Sequence, residues 1–211
     1  MSENEGRRLA MMHDSQEAFY EYVLEHPDQF NQVEAWDEAE AWSDKLVTAA
    51  EAFAEQAHAG QYRKDHVTPY IVHPERVADT VRYVQGVTPS MVAAAWLHDV
   101  VEDCDVTLET IEAAFGPMVA EYVGWVTNPS KGSKENRRVR KRMDREHLAK
   151  APWKAKVIKL ADRIDNLRDI VTEAPGFTKL YRMESRQLHS EALLGVDKKL
   201  EWELQREYER E

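Results

Sequence analysis

A His-Asp dipeptide, His98-Asp99, is followed one helical turn later by a Glu-Asp pair, Glu102-Asp103. On a continuous helix residues four apart share a face, which predicts His98 beside Glu102 and Asp99 beside Asp103. The preceding run, MVAAAWL over residues 91–97, reads as core. Charge placed in a core is costly unless it is paired or binds a metal. Imidazole and carboxylate together suit a divalent cation that acidifies water, with a neighbouring carboxylate to accept the proton. The plainer alternative is an exposed acidic helix end with a hydrogen-bonded histidine, the commoner fate of a lone His-Asp dipeptide.

Two other positions turn the dipeptide into a set. His73 stands in PYIVHP, where a proline turn aims one imidazole from a helix start, and Asp162 lies in KLADRIDN beside an apolar helical stripe, with Asn166 one turn later. His73, His98, Asp99 and Asp162 are two imidazoles and two carboxylates, a donor set that suits Mn²⁺ or Fe²⁺, with Zn²⁺ less favoured. The lone Cys104 excludes a multi-cysteine zinc site and an internal disulfide, and fits a reducing compartment.

The elements that must position these groups are helices. Gly and Pro punctuate stretches of helical periodicity, no set of alternating β-branched runs lines up as strands, and the expectation is an all-α bundle of about eight to ten helices. Ser43 is expected to cap a helix ending at Gly60, and a polar connector follows over residues 61–70. A helix from Pro74 to Gly86 comes next, then a central one from Thr88-Pro89 through the Glu-Asp pair. Short helices are expected over 107–116 and 117–126, a very basic one from Lys134 to about Lys150, and a long one from Pro152. The division is an acidic helical extension over 1–44, one domain over 45–196, and a charged helical tail over 197–211.

Four segments, HAGQYRK (58–64), TPYIVHP (68–74), LHDVVED (97–103) and KLADRIDNLR (159–168), resemble in order and spacing the hydrolase domain of the RelA/SpoT alarmone enzymes. That domain is of the HD-domain metal-dependent phosphohydrolase type, and the likeness is nearest to the stand-alone small alarmone hydrolases. It covers roughly Leu46 to Val171. The resemblance implies that His73, His98, Asp99 and Asp162 bind a metal, Mn²⁺ first. It implies that Glu102 and Asp103 activate water and handle protons, and that the substrate is guanosine tetra- or pentaphosphate, cut at its 3′-diphosphate to pyrophosphate and GDP or GTP. Arg63, Lys64 and Asn166 match nucleotide contacts, and Arg182 falls near the place of a late basic residue that meets phosphate. Lys134 and Arg137, in the basic run, lie where the family keeps a mobile loop and helix beside its pocket. His58 also matches, but on a helix of core periodicity it reads as structural. About 36 residues follow Pro175, too few for a synthetase, so degradation without synthesis is expected. A nucleotide phosphatase acting on NADPH or another nucleotide is the alternative.

Net charge is −11, from 28 basic and 39 acidic residues, which argues against a general nucleic-acid binder. Residues 1–44 hold twelve acidic and two basic side chains, so most of the acidity sits in the extension. Residues 131–145 instead hold eight basic and two acidic ones, a segment suited to phosphate. No apolar run approaches the roughly 20 residues of a membrane span, and the start lacks a signal-peptide core. A cytoplasmic protein is expected. Aromatic residues in the extension and the tail suggest packing on the chain's own domain or on a second copy.

Overall fold

The structure, a computed structural model, describes residues 32–210, with side chains over 44–170 and 174–210. Its helices are α1 (Gln32–Ala57), α2 (Val72–Arg82), α3 (Pro89–Leu97), α4 (Val100–Asp103), α5 (Leu108–Phe115), α6 (Pro117–Val126), α7 (Arg137–Leu148), α8 (Trp153–Glu173), α9 (Thr178–Leu188) and α10 (Lys198–Glu209). Short 3₁₀ and π turns flank α9 at Pro175–Phe177 and His189–Leu193. Among the described residues the one β pairing is an isolated bridge between Tyr62 and Pro69.

Helix α3 is the hub. Thr88 caps it through the Met91 amide, Pro89 occupies its first turn, and every residue from Ser90 to Leu97 is buried. A helix apolar on all sides needs neighbours on all sides, and α1, α2, α6 and α8 surround it. Its alanines let α1 come close through Ala50 and Ala54. The second long element, α8, buries Val157, Leu160, Ala161, Ile164 and Leu167 against α2, α6, α9 and α10.

Several boundaries differ from those expected. Helix α1 runs unbroken through Ser43, so no helix starts there. Helix α2 starts at Val72, which puts His73 inside its first turn, and α7 starts at Arg137 with the Asn136 side chain accepting from the Val139 amide. The central helix does not continue through the Glu-Asp pair: it ends at Leu97 and resumes at Val100. His98 supplies the reason. Its ring Nδ1 lies 2.8 Å from the Ala95 carbonyl, the acceptor a continuing helix would offer to the Asp99 amide. Asp99 then restarts the chain, its carbonyl accepting from the amides of Glu102 (3.0 Å) and Asp103 (2.8 Å).

Helix α10 is capped by Asp197 and packs on α8 and α9 with Leu200, Leu204 and Tyr208 buried, so the tail's apolar residues are used within the domain while Trp202 stays exposed. The aromatic side chains of the extension lie outside the described residues. No helix among the described residues is long and apolar enough to cross a membrane.

Candidate active site

The break between α3 and α4, the start of α2 and the middle of α8 bring four side chains to one point. His73 Nε2 and His98 Nε2 are 3.1 Å apart. Asp99 Oδ2 lies 3.0 Å from His98 Nε2 and 3.5 Å from His73 Nε2, while Asp162 Oδ1 lies 3.4 Å from His73 Nε2 and 4.0 Å from that of His98. Donors bound to one cation at about 2.0–2.2 Å sit about 3.0–3.5 Å from their neighbours, so the spacing of His73, His98 and Asp99 fits a single ion, with Asp162 beside them.

The outer hydrogen bonds make the same point through proton positions. A carbonyl only accepts, so His98 carries its hydrogen on Nδ1, toward Ala95. His73 Nδ1 lies 2.7 Å from Asp165 Oδ2, which assigns its hydrogen to that nitrogen too. Two ring lone pairs and two carboxylate oxygens then face one another in a buried space, an arrangement that needs a positive charge at its centre. Without a metal, a proton takes that role. Burial opposes charge on His73, but Asp162, Asp165 and Asp99 outweigh it and hold its pKa well above 6.5. Burial likewise pushes the Asp99 carboxyl up, and the His98 and His73 imidazoles more than reverse this, leaving it well below 3.8. For Asp162 the reversal comes chiefly from Lys159, whose Nζ is 2.7 Å from Oδ2. Lys159 is itself buried yet held protonated by Asp162, Glu102 and Asp99.

Glu102 and Asp103 stand beside this point but are held differently. Glu102 Oε1 accepts from the Asn128 backbone (2.7 Å) and side-chain amide (2.9 Å), and Oε2 accepts from the latter at 3.1 Å. The group is thus a fixed acceptor. Asp103 is exposed, and Tyr70 Oη lies 2.6 Å from Asp99 Oδ2 and 3.1 Å from Asp103 Oδ2, with one proton to give between them. Burial and the Asp99 charge push the Tyr70 phenol far up, so it stays a donor.

The connector over 61–70 is a tight reversal. The Asp65 carboxylate accepts from the amides of Val67 and Thr68 and the Thr68 hydroxyl, which lets His66 take φ +60°. This folds Arg63 inward: it is buried, hydrogen-bonds Asn166 Oδ1 (3.3 Å) and Asp169 (3.4 Å), and lies near the Tyr70 ring. Lys64 stays exposed, 5.9 Å from the Phe177 ring centre. Asn166 donates to Asp162 Oδ1, tying the inner and outer residues of this wall together.

The other expected phosphate contacts come from α7, the loop before it and α9, and Arg137 shares the Phe177 ring with Lys64. Arg137 forms a two-pronged pair with Glu184 (2.7 and 2.8 Å) and lies over Phe177 at 4.7 Å. Lys141 and Arg145, from the same basic run, pair with Asp144 and Glu191. Arg137 and Arg145 thus fasten α7 to α9 and the π turn, while Lys141 pairs within α7. Lys134 is exposed before α7, and Arg182 is half-buried on α9 with a shielded Nε that makes no hydrogen bond. His58 is buried, its Nδ1 2.9 Å from Gln61 Oε1, as a structural histidine would be. Sequence reasoning missed Asp165, Lys159, Tyr70 and Asn128. Lys159 was findable, since it stands three residues before Asp162 on the same helix face.

The HD domain family matches residues 50–191, which hold every group placed in this site. The chain belongs to the HD-domain family. Among its relatives is the Xenopus tropicalis guanosine-3′,5′-bis(diphosphate) 3′-pyrophosphohydrolase MESH1, 40% identical over 154 residues, covering 72% of this chain and 84% of the relative. The Homo sapiens MESH1 is 42% identical over 128 residues, 60% of this chain and 69% of the relative. A solved structure described as a metazoan ortholog of SpoT that hydrolyses ppGpp superposes with a TM-score of 0.70 at 32% identity, covering 78% of this chain and 94% of that one. Within this HD domain the His-Asp dipeptide is the break between α3 and α4.

Proposed function

We propose that this protein is a Mn²⁺-dependent guanosine-3′,5′-bis(diphosphate) 3′-pyrophosphohydrolase, converting guanosine tetra- or pentaphosphate to GDP or GTP and pyrophosphate. The observation that carries the reading is the convergence of His73, His98, Asp99 and Asp162 beside the fixed carboxylate of Glu102, in a chain similar along most of its domain to enzymes of that name. His73, His98, Asp99 and Asp162 would hold the metal. When bound, it polarises the phosphoryl oxygens and lowers the pKa of water.

The chain's own residues account for the rest of the reaction. Water oxygen bonds to the phosphorus attached at the ribose 3′ oxygen, and the bond between that phosphorus and the 3′ oxygen breaks. Glu102, fixed as an acceptor by Asn128, takes the proton from the attacking water. The departing 3′ oxygen takes its proton from solvent, passed on by Asp103, which is exposed and in reach of Tyr70. Arg63, held by Asn166 and Asp169, and the exposed Lys64 form the nucleotide wall, and Lys134, Arg137 and Arg182 supply positive charge toward its phosphates. Incubation of Mn²⁺-loaded protein with ppGpp, with products resolved, should give GDP and pyrophosphate, and Asp99→Ala should abolish both. Release of orthophosphate from NADPH with ppGpp left intact would favour the phosphatase alternative.

A further inference from the structure

Behind the catalytic wall, between α6, α7, α8 and α9, a cavity of about 20 Å³ is lined by charged groups, among them Lys141, Asp144, Arg145, Lys159, Arg163 and Glu184. All but one are paired. Lys141 meets Asp144 at 3.0 Å, Arg145 meets Glu191 at 2.6 Å, Lys159 meets Asp162 at 2.7 Å, and Glu184 is held by Arg137 at 2.7 Å. Arg163 is the exception. It is 9% exposed, its Nε and Nη1 are buried without a hydrogen bond, and no carboxylate among the described residues forms an ion pair with it. The Tyr181 ring, 4.6 Å from its Cζ, offsets part of the charge but accepts no N–H in the guanidinium plane. A third buried nitrogen without a partner, His147 Nε2, belongs to a residue lining the same cavity.

We propose that Arg163 and this cavity form a binding site for one monatomic anion, chloride under physiological conditions. A buried cation with idle donors is among the costlier features a fold can carry, and a single negative ion removes both costs. The space of about 20 Å³ leaves room for one small occupant, a lone water needing about 10–15 Å³ of occupied volume. The site is separate from the reaction proposed above. It adjoins that reaction's residues through Lys159, which holds Asp162, and Asn128, which holds Glu102 and also lines the cavity. A bound anion would therefore steady the back of the metal site without touching substrate.

The test needs no catalytic readout. Thermal unfolding of the full chain, with gluconate exchanged for chloride or bromide at constant ionic strength and pH, should show a saturable rise in Tm of about 2–4 °C. Arg163→Gln should remove the halide dependence. Crystals of the unaltered protein grown in bromide should show an anomalous peak beside the Arg163 guanidinium, which keeps the test valid if the variant fails to fold. Equal Tm in gluconate and halide, or a bromide-grown crystal with only water in the cavity, would overturn the proposal.

Discussion

In the proposed metal site, Asp165 governs how firmly the first ligand is aimed. Its contact with His73 Nδ1 fixes the hydrogen there and turns Nε2 toward the other three donors. Outer partners of this kind typically carry 10- to 100-fold in metal affinity. Asp165→Ala should weaken Mn²⁺ binding by about that factor, and Asp165→Asn by less because an amide oxygen still accepts, as read by competition with a chelating dye. The same residues make binding depend on pH. In the metal-free protein the raised pKa of His73 leaves a proton on it at neutral pH, and a cation must displace that proton. Calorimetry in buffers of different ionisation enthalpy should register release of about one proton per ion, and affinity should rise with pH. The sign for stability is opposite in the metal-free protein. A raised folded-state pKa stabilises most below the unfolded value and is lost as pH climbs through the folded one. The Tm gain from Mn²⁺ should therefore grow between about pH 6 and 8, and a constant gain would rule His73 out as the displaced site.

Among the elements, α3 shows what could be read in advance and what could not. Its cap, burial and all-round apolar character follow from TPSMVAAAWL. The break after Leu97 does not, because it depends on a side chain taking a backbone acceptor, which periodicity does not register. The partners Asp165, Tyr70 and Asn128 were illegible for a related reason: each acts across more than twenty residues of sequence, and its type alone marks no role. Since α3 is packed through its alanines, Ala94→Leu should destabilise the domain by about 1–3 kcal/mol in urea unfolding. Helices α7 and α9 raise a different question, because Arg137 is already spent on Glu184. If the substrate draws Arg137 away from that pair, Glu184→Gln should lower KM for ppGpp while also lowering Tm. A higher KM would mean that the pair's part is to hold α7 in place.

For the whole molecule, net charge proved the wrong scale on which to judge a polyanionic substrate. The −11 is uneven, with residues 45–196 near balance at +1 and residues 131–145 at +6. The structure sharpens the test of what the acidic extension does. Removing residues 1–44 would cut through α1, which supplies Leu46, Ala50 and Ala54 to the core, and would confound charge with folding. Removing residues 1–31 leaves α1 whole and takes away seven acidic and two basic side chains. Repulsion between those charges and ppGpp acts over about 10 Å at 0.1 M salt and shrinks as salt rises. The shortened protein should therefore show a lower KM than the full chain at low ionic strength, with kcat unchanged, and the two should converge in high salt. A KM difference that survives high salt would show that the extension meets the pocket by contact rather than by field. Identical KM values at low salt would remove the extension from substrate capture altogether and leave assembly or solubility as its part.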